Sequence, residues 1–193
     1  MKPAGIDTAG KILDIVEELI QTRGYNAFSY QDVAARIGIR TASIHYHFPT
    51  KADLGRVVIE RYSAKLAELA RTVEAGTSDP WRILSSYLEP FFEFADTAER
   101  ICLCGALAGE YGALPEDMKD LVAGFFAEHE AWLARLFTRG LEAGIFGFTV
   151  EPGVLARAFF SALQGGLLVG RAAGGRAQLD ACVEVFKALL RGK

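Results

Sequence analysis

Between Ser29 and Phe48 the chain has room for two short helices and a tight turn, and a few side chains fix how those helices must meet. Two short helices that cross steeply need a small residue at the contact, a residue tolerant of positive φ in the turn, and an apolar anchor on the second helix. Ala34 supplies the small contact, Gly38 the turn and Ile44 the anchor, while Val33, Ile37 and Ile39 fill the space between. Ser29 and Asp32 form an S-x-x-D capping box that opens the first helix of the pair. Thr50 and Asp53 form a second box behind Pro49, opening a long helix through Leu54, Val57, Val58, Tyr62, Leu66 and Leu69. Ahead of the pair, Ala9, Ile12, Leu13, Val16, Leu19 and Ile20 recur at helical spacing between a cap at Asp7 or Thr8 and a stop at Gly24. These signals predict a three-helix unit over residues 1–52 with a helix-turn-helix at 29–48.

The segment Ala75-Gly76-Thr77-Ser78-Asp79-Pro80 ends one helix and starts another. Beyond it aromatic residues crowd in on helical spacing, from Trp81 and Tyr87 to Phe186. Helices are expected near 80–95, bent or broken at Pro90, and near 98–111, 115–143, 152–173 and 176–191, with Gly144, Gly147, Gly174 and Gly175 as breaks. No strand pattern or repeat competes, so the fold class is all-α: a small helix-turn-helix domain followed by a larger helical domain over 53–193. At 193 residues and 51% hydrophobic content the chain can bury a real core. Its N-terminus lacks a basic run followed by an apolar stretch, and no membrane partner is expected, which predicts a cytoplasmic protein. Three cysteines are too few and too odd in number for a disulfide framework.

The net charge of −3 argues weakly against nucleic-acid binding, but it hides a split. Residues through Tyr62 carry +1 and the remainder −4, so only the first part can face DNA. Residues from about Thr8 to Tyr62, including the run Thr41-Ala42-Ser43-Ile44-His45-Tyr46-His47-Phe48-Pro49-Thr50-Lys51-Ala52-Asp53-Leu54, closely resemble the DNA-binding domain of the tetracycline-repressor (TetR) family. The resemblance implies a regulator, most commonly a repressor, that binds double-stranded operator DNA. It also implies a homodimer joined through the last two helices of each subunit.

In a helix-turn-helix the N-terminal residues of the second helix reach base edges in the major groove. Arg40 and Thr41 are the candidate base readers and Ala42 a candidate contact to a thymine methyl. Ser43, Tyr46 and Lys51 are candidate phosphate contacts, with Ser29 and Tyr30 contributing from the preceding helix. His45 stands where the family commonly has Tyr; a base or phosphate contact and a plain surface position are both open for it. His47 and Phe48 are expected to pack the small domain. Histidines at i and i+2 point to nearly opposite sides of a helix, so no metal site is expected, and no cofactor is implied.

In the larger domain most aromatic residues are expected to be core. Tyr87, Tyr111, His129, Trp132 and Gln164 combine polar tips with apolar bodies, and with Phe91, Cys102, Phe125 and Phe159 they are the candidate lining of a pocket for a small, mostly hydrophobic effector. By analogy with the family, the effector releases the protein from its operator. The segment Ile101-Cys102-Leu103-Cys104-Gly105 is similar to a stretch in the family branch typified by the N-ethylmaleimide-reductase repressor, where a Cys-x-x-Gly cysteine senses electrophiles or oxidants. Cys102 occupies that position, so a thiol sensor is the alternative reading, and ordinary packing accounts for Cys102 equally well. An all-helical enzyme using Cys102 or His129 has little support, because no P-loop, dinucleotide fingerprint, H-E-x-x-H or G-x-S-x-G is present. A constitutive architectural DNA binder would need no pocket and would usually be more basic.

Overall fold

The computed structural model describes residues 7–97 and 99–192. Among these, nine α-helices run in the order α1 (Thr8–Arg23), α2 (Tyr30–Ile37), α3 (Thr41–His47), α4 (Lys51–Gly76), α5 (Pro80–Thr97), α6 (Leu103–Gly109), α7 (Glu116–Glu142), α8 (Pro152–Ala173) and α9 (Ala177–Arg191). Asp7 caps α1 through the amide of Gly10, and both capping boxes read in the sequence form, at Ser29 for α2 and Thr50 for α4. Gly38 closes α2 in the left-handed region at φ 78°, the conformation that lets the chain turn directly into α3. Val33, Ala34 and Ile44 are buried at the crossing, with Ile12, Val16, Leu19 and Ile20 of α1 beneath them.

Helix α4 carries the chain from the small unit into the large one. The expected boundary at residues 52 and 53 falls within its first turn, yet its contacts with α1 extend further: Arg61 pairs with Asp14 at 2.8 Å and Glu17 at 3.0 Å, and Lys65 reaches the same Glu17 at 3.0 Å. The helix is thus shared by both parts. Residues 1–6 of the small domain, Ala98 at the start of the helix expected over 98–111, and Lys193 lie outside the described residues.

Of the alternatives at Pro90 a break does not occur, and α6 differs from expectation. Helix α5 runs unbroken through Pro90, with Leu88 and Phe91 buried on either side of it; their burial offsets the lost backbone hydrogen bond. The helix expected over 98–111 is shorter, beginning only at Leu103, because Cys102 is extended at its N-cap (φ −49°, ψ 133°) and Ile101 donates its backbone N–H to the Gln21 carbonyl at 3.3 Å. That bond fastens the start of α6 to the end of α1.

The large domain packs α7 and α8 together, with α9 against α8 and α5 across both. Its centre is aromatic: Phe137 meets Phe146, Phe148 and Phe159, and Phe159 meets Phe186. Gly166 lets α8 approach α9 so closely that a Cβ there would lie 3.1 Å from the Leu179 Cα. Helix α8 is long and apolar enough to cross a membrane, but it buries Leu155, Phe159, Leu163 and Leu167 within the helical core. Gly140 on α7 faces the Phe146 ring, where an added Cβ would stand 2.2 Å from Cδ2. That ring is hemmed in by Trp81 and Phe137. Gly140→Ala is therefore expected to cost about 1–3 kcal/mol through overpacking, read as a lower midpoint of thermal unfolding with DNA-free protein.

Candidate DNA interface and effector cavity

The α3 surface that faces away from α1 and α2 carries Arg40, Ala42, Ser43, His45, Tyr46 and His47, all exposed, with Thr41 half-buried beside them. Tyr46 is 84% exposed, an unusual state for a large ring and one suited to a groove wall. Arg40 is the N-cap of α3 and makes no capping hydrogen bond with its side chain. The local fold explains this layout: Ile44 is fully buried, so the residues on either side of it along the helix project outward.

Several expectations change here. Phe48 is buried as expected, but His47 is exposed and stands edge-on to Tyr46 at 5.2 Å, because the single inward position of this short helix goes to Ile44. The Lys51 ammonium donates to the Phe28 carbonyl at 2.6 Å and sits over the Tyr25 and Phe28 rings, an environment whose desolvation lowers its pKa. Lys51 thus ties α4 to the loop before α2, and the residue is half-buried rather than freely exposed. Tyr30 likewise turns inward, its hydroxyl donating to the Phe48 carbonyl at 2.8 Å. The His45 ring packs on Tyr30 at 4.6 Å, with Nδ1 3.2 Å from the Pro49 carbonyl, and keeps its outer edge exposed. Ser29 caps α2 and remains exposed.

The large domain holds a cavity of about 390 Å³ between α4, α5 and α7, reaching α6 and α8. It brings together Tyr87, Phe91, Cys102, Phe125, His129, Trp132 and Gln164, seven of the residues expected there. Tyr111 is not among them: α6 ends at Gly109, and Tyr111 begins a short 3-10 turn where it is 44% exposed with Lys119 over its ring. Phe159 is also outside, buried in the core between Phe137 and Phe186. Unforeseen were the contributions of α4, from Tyr62 and Leu66 to Val73 and Glu74. Tyr62, Leu66, Leu69 and Val73 recur at three- and four-residue steps, and that stripe was the available signal.

Inside the cavity burial favours the uncharged forms of Tyr62, Tyr87 and His129. Burial pushes the Tyr87 phenol well above its ordinary range and drops the His129 imidazole to about 4; the two share a hydrogen bond of 3.2 Å. Tyr62 points its hydroxyl at the Cys102 sulfur, 3.8 Å away, and its pKa is likewise raised, first by burial and then by Cys102. The Trp132 ring stacks on Tyr87 at 5.0 Å. Two buried donors, Trp132 Nε1 and Gln164 Nε2, have no hydrogen-bond partner. Cys102 and Cys104 are buried, and burial raises the Cys104 thiol pKa first, followed by the influence of Cys102.

The profile described as "Bacterial regulatory proteins, tetR family" matches residues 12–56, the span of α1 through the start of α4. A solved structure of a TetR-family transcriptional regulator from Agrobacterium tumefaciens is 32% identical and superposes with a TM-score of 0.88, covering 94% of this chain and 97% of that one. The chain belongs to the TetR family. It is a DNA-binding transcriptional regulator. The repressor DhaR of Mycobacterium sp. strain GP1 is 26% identical over 87% of this chain and 85% of its own length. The reduced form of Escherichia coli NemR shares the fold at a TM-score of 0.82 over 95% of this chain and 97% of its own, with 20% identity. TetR-family regulators bind operator DNA and small-molecule effectors and act as dimers; these relatives are regulators rather than enzymes.

Proposed function

We propose that this TetR-family member is a cytoplasmic dimeric repressor that leaves its operator when a small molecule fills the cavity of the large domain. Arg40 and Thr41 read base edges, Ala42 meets a thymine methyl, and Ser43, Tyr46 and the outer edge of His45 contact the backbone or neighbouring bases, with Ser29 at the start of α2. The observation that carries this reading is the double role of α4. Its first turn is capped directly behind the recognition helix α3, and its later turns wall the cavity. A ligand that moves α4 must therefore move the small domain.

A second set of links supports the same coupling. Glu110, at the end of α6, accepts from the Asn26 amide at 2.9 Å, and Arg171 on α8 donates to the Thr22 carbonyl. With the bond from Ile101 to Gln21, they grip the end of α1 and the loop after it. A ligand that favours one spacing of the two recognition helices lowers operator affinity by the difference in its own affinity for the two arrangements.

Dimerisation is assigned to an outward apolar face on α8 and α9. Val154, Leu168 and Val169 on α8 and Val185 and Leu189 on α9 are 46, 60, 53, 59 and 47% exposed, while Leu155, Phe159, Leu163, Leu179, Val183 and Leu190 face inward. Gly165 lies on the open side, with nothing within 4 Å of an added Cβ. The thiol-sensor alternative is not favoured: Cys102 is 4% exposed, and its polar contact is the Tyr62 hydroxyl rather than a cation. The deciding experiment is footprinting of the promoter flanking the protein's own gene, with and without candidate ligands. Protection lost on ligand addition supports the proposal; protection that no cavity-filling compound changes contradicts effector release.

A further inference from the structure

We propose that the effector is a neutral, flat, aromatic-sized molecule bearing a hydrogen-bond-accepting oxygen such as a ketone or quinone carbonyl, held by the Trp132 indole N–H and the Gln164 amide nitrogen. This rests on the reading of the cavity as the effector site, and it follows from what the cavity offers and withholds. The walls are apolar and largely aromatic, with Phe91, Phe94 and Phe125 beside the stacked Tyr87–Trp132 pair. A flat body fits among such rings in offset or edge-on contact. At about 390 Å³ the space is at the lower end of the range for organic ligands.

The unpartnered buried polar atoms are one-sided. Tyr87 and His129 satisfy each other at 3.2 Å, and Tyr62 is turned to the Cys102 sulfur. The Ser63 and Ser86 hydroxyls also line the space, but the buried side-chain atoms of the lining without a partner are Trp132 Nε1 and Gln164 Nε2, both donors. The Gln164 Oε1 rests against the α6 backbone at Gly105, where a Cβ would stand only 2.5 Å away. Burying an unmatched donor is costly, and a ligand oxygen relieves that cost in the bound state. Charged groups are confined to the outer lining: Arg71 is exposed and paired with Glu68 at 2.6 Å, Glu74 is paired with Arg139, and Glu128 and Arg135 are exposed. A carboxylate or ammonium deep in the cavity would lose its hydration with no opposite charge to meet it.

The test is equilibrium dialysis of the full chain against a near-isosteric series: 2-acetylnaphthalene, 2-isopropylnaphthalene, 2-naphthoate and 1-(2-naphthyl)ethylammonium. The ketone is expected to bind at least about tenfold more tightly than the hydrocarbon and than either ion. Gln164→Leu and Trp132→Phe should each shrink the ketone's advantage, measured against the hydrocarbon in the same variant, to about threefold or less. Tightest binding by the naphthoate or the ammonium, equal binding of ketone and hydrocarbon, or no saturable binding by any of the series overturns the proposal. Operator binding measured with the same compounds separates the two readings. A ketone that binds as described yet leaves the protein on DNA defeats effector release and leaves the ligand class standing.

Discussion

Placing glutamate at Leu168 and Val185 together should convert the protein to a monomer and weaken operator binding by about 10³-fold or more. Both side chains project from the outward face of α8 and α9, at 60% and 59% exposure, so the isolated subunit loses little by the exchange. In the dimer the same positions would bring like charges into an apolar contact, where each must give up its hydration without a partner. A single recognition helix then meets one half-site, and the linkage that made the second contact intramolecular is gone. Light scattering should report the mass of one chain, while circular dichroism stays helical. A dimer of unchanged stability, or a monomer with full operator affinity, would sink the assignment.

The second large effect concerns acid. His129 titrates at about 4 in the folded chain because burial disfavours its charged form, against about 6.5 in the unfolded chain. Between those values the unfolded state binds the extra proton. Stability from this group is thus fully present above about pH 6.5 and is lost as the pH falls towards about 4, by about 3 kcal/mol in total. His129→Phe should flatten that part of the curve, since Phe125 and Phe160 already pack on the ring at 4.3 and 5.3 Å. Denaturant unfolding at a series of pH values between 7 and 4 checks it. Equal slopes in the two proteins would mean that the imidazole titrates normally.

The small domain was legible in the sequence because its signals are local. A capping box, a left-handed glycine and one apolar anchor leave a short helix pair few ways to meet, and Ser29, Gly38 and Ile44 occupy those roles in the structure. What the sequence could not separate was a polar side chain that faces out from one that turns back: Lys51 and Tyr30 each find a carbonyl from a loop distant in sequence. The cavity was partly legible through polar tips on aromatic bodies. Tyr111 lies outside it because helix α6 ends at Gly109, and Phe159 because it turns into the core between Phe137 and Phe186, a choice that the apolar run of α8 does not mark. The two C-terminal helices were legible as helices, but their outward face depends on α8 packing against α9, and only that packing distinguishes Leu168 from Leu167.

The central claim is that α3 reads DNA as one half of a symmetric pair. Systematic selection of bound sequences from a random pool, run with the wild-type chain and with Arg40→Ala, tests it most directly. The wild type should recover an inverted repeat whose half-sites lie about 34–36 Å apart, or a multiple of that. Arg40→Ala should keep the repeat, lose discrimination at one position in each half, and bind each preferred half-site about 1–3 kcal/mol more weakly. Recovery of no repeat, or an identical sequence preference in the two proteins, would contradict it.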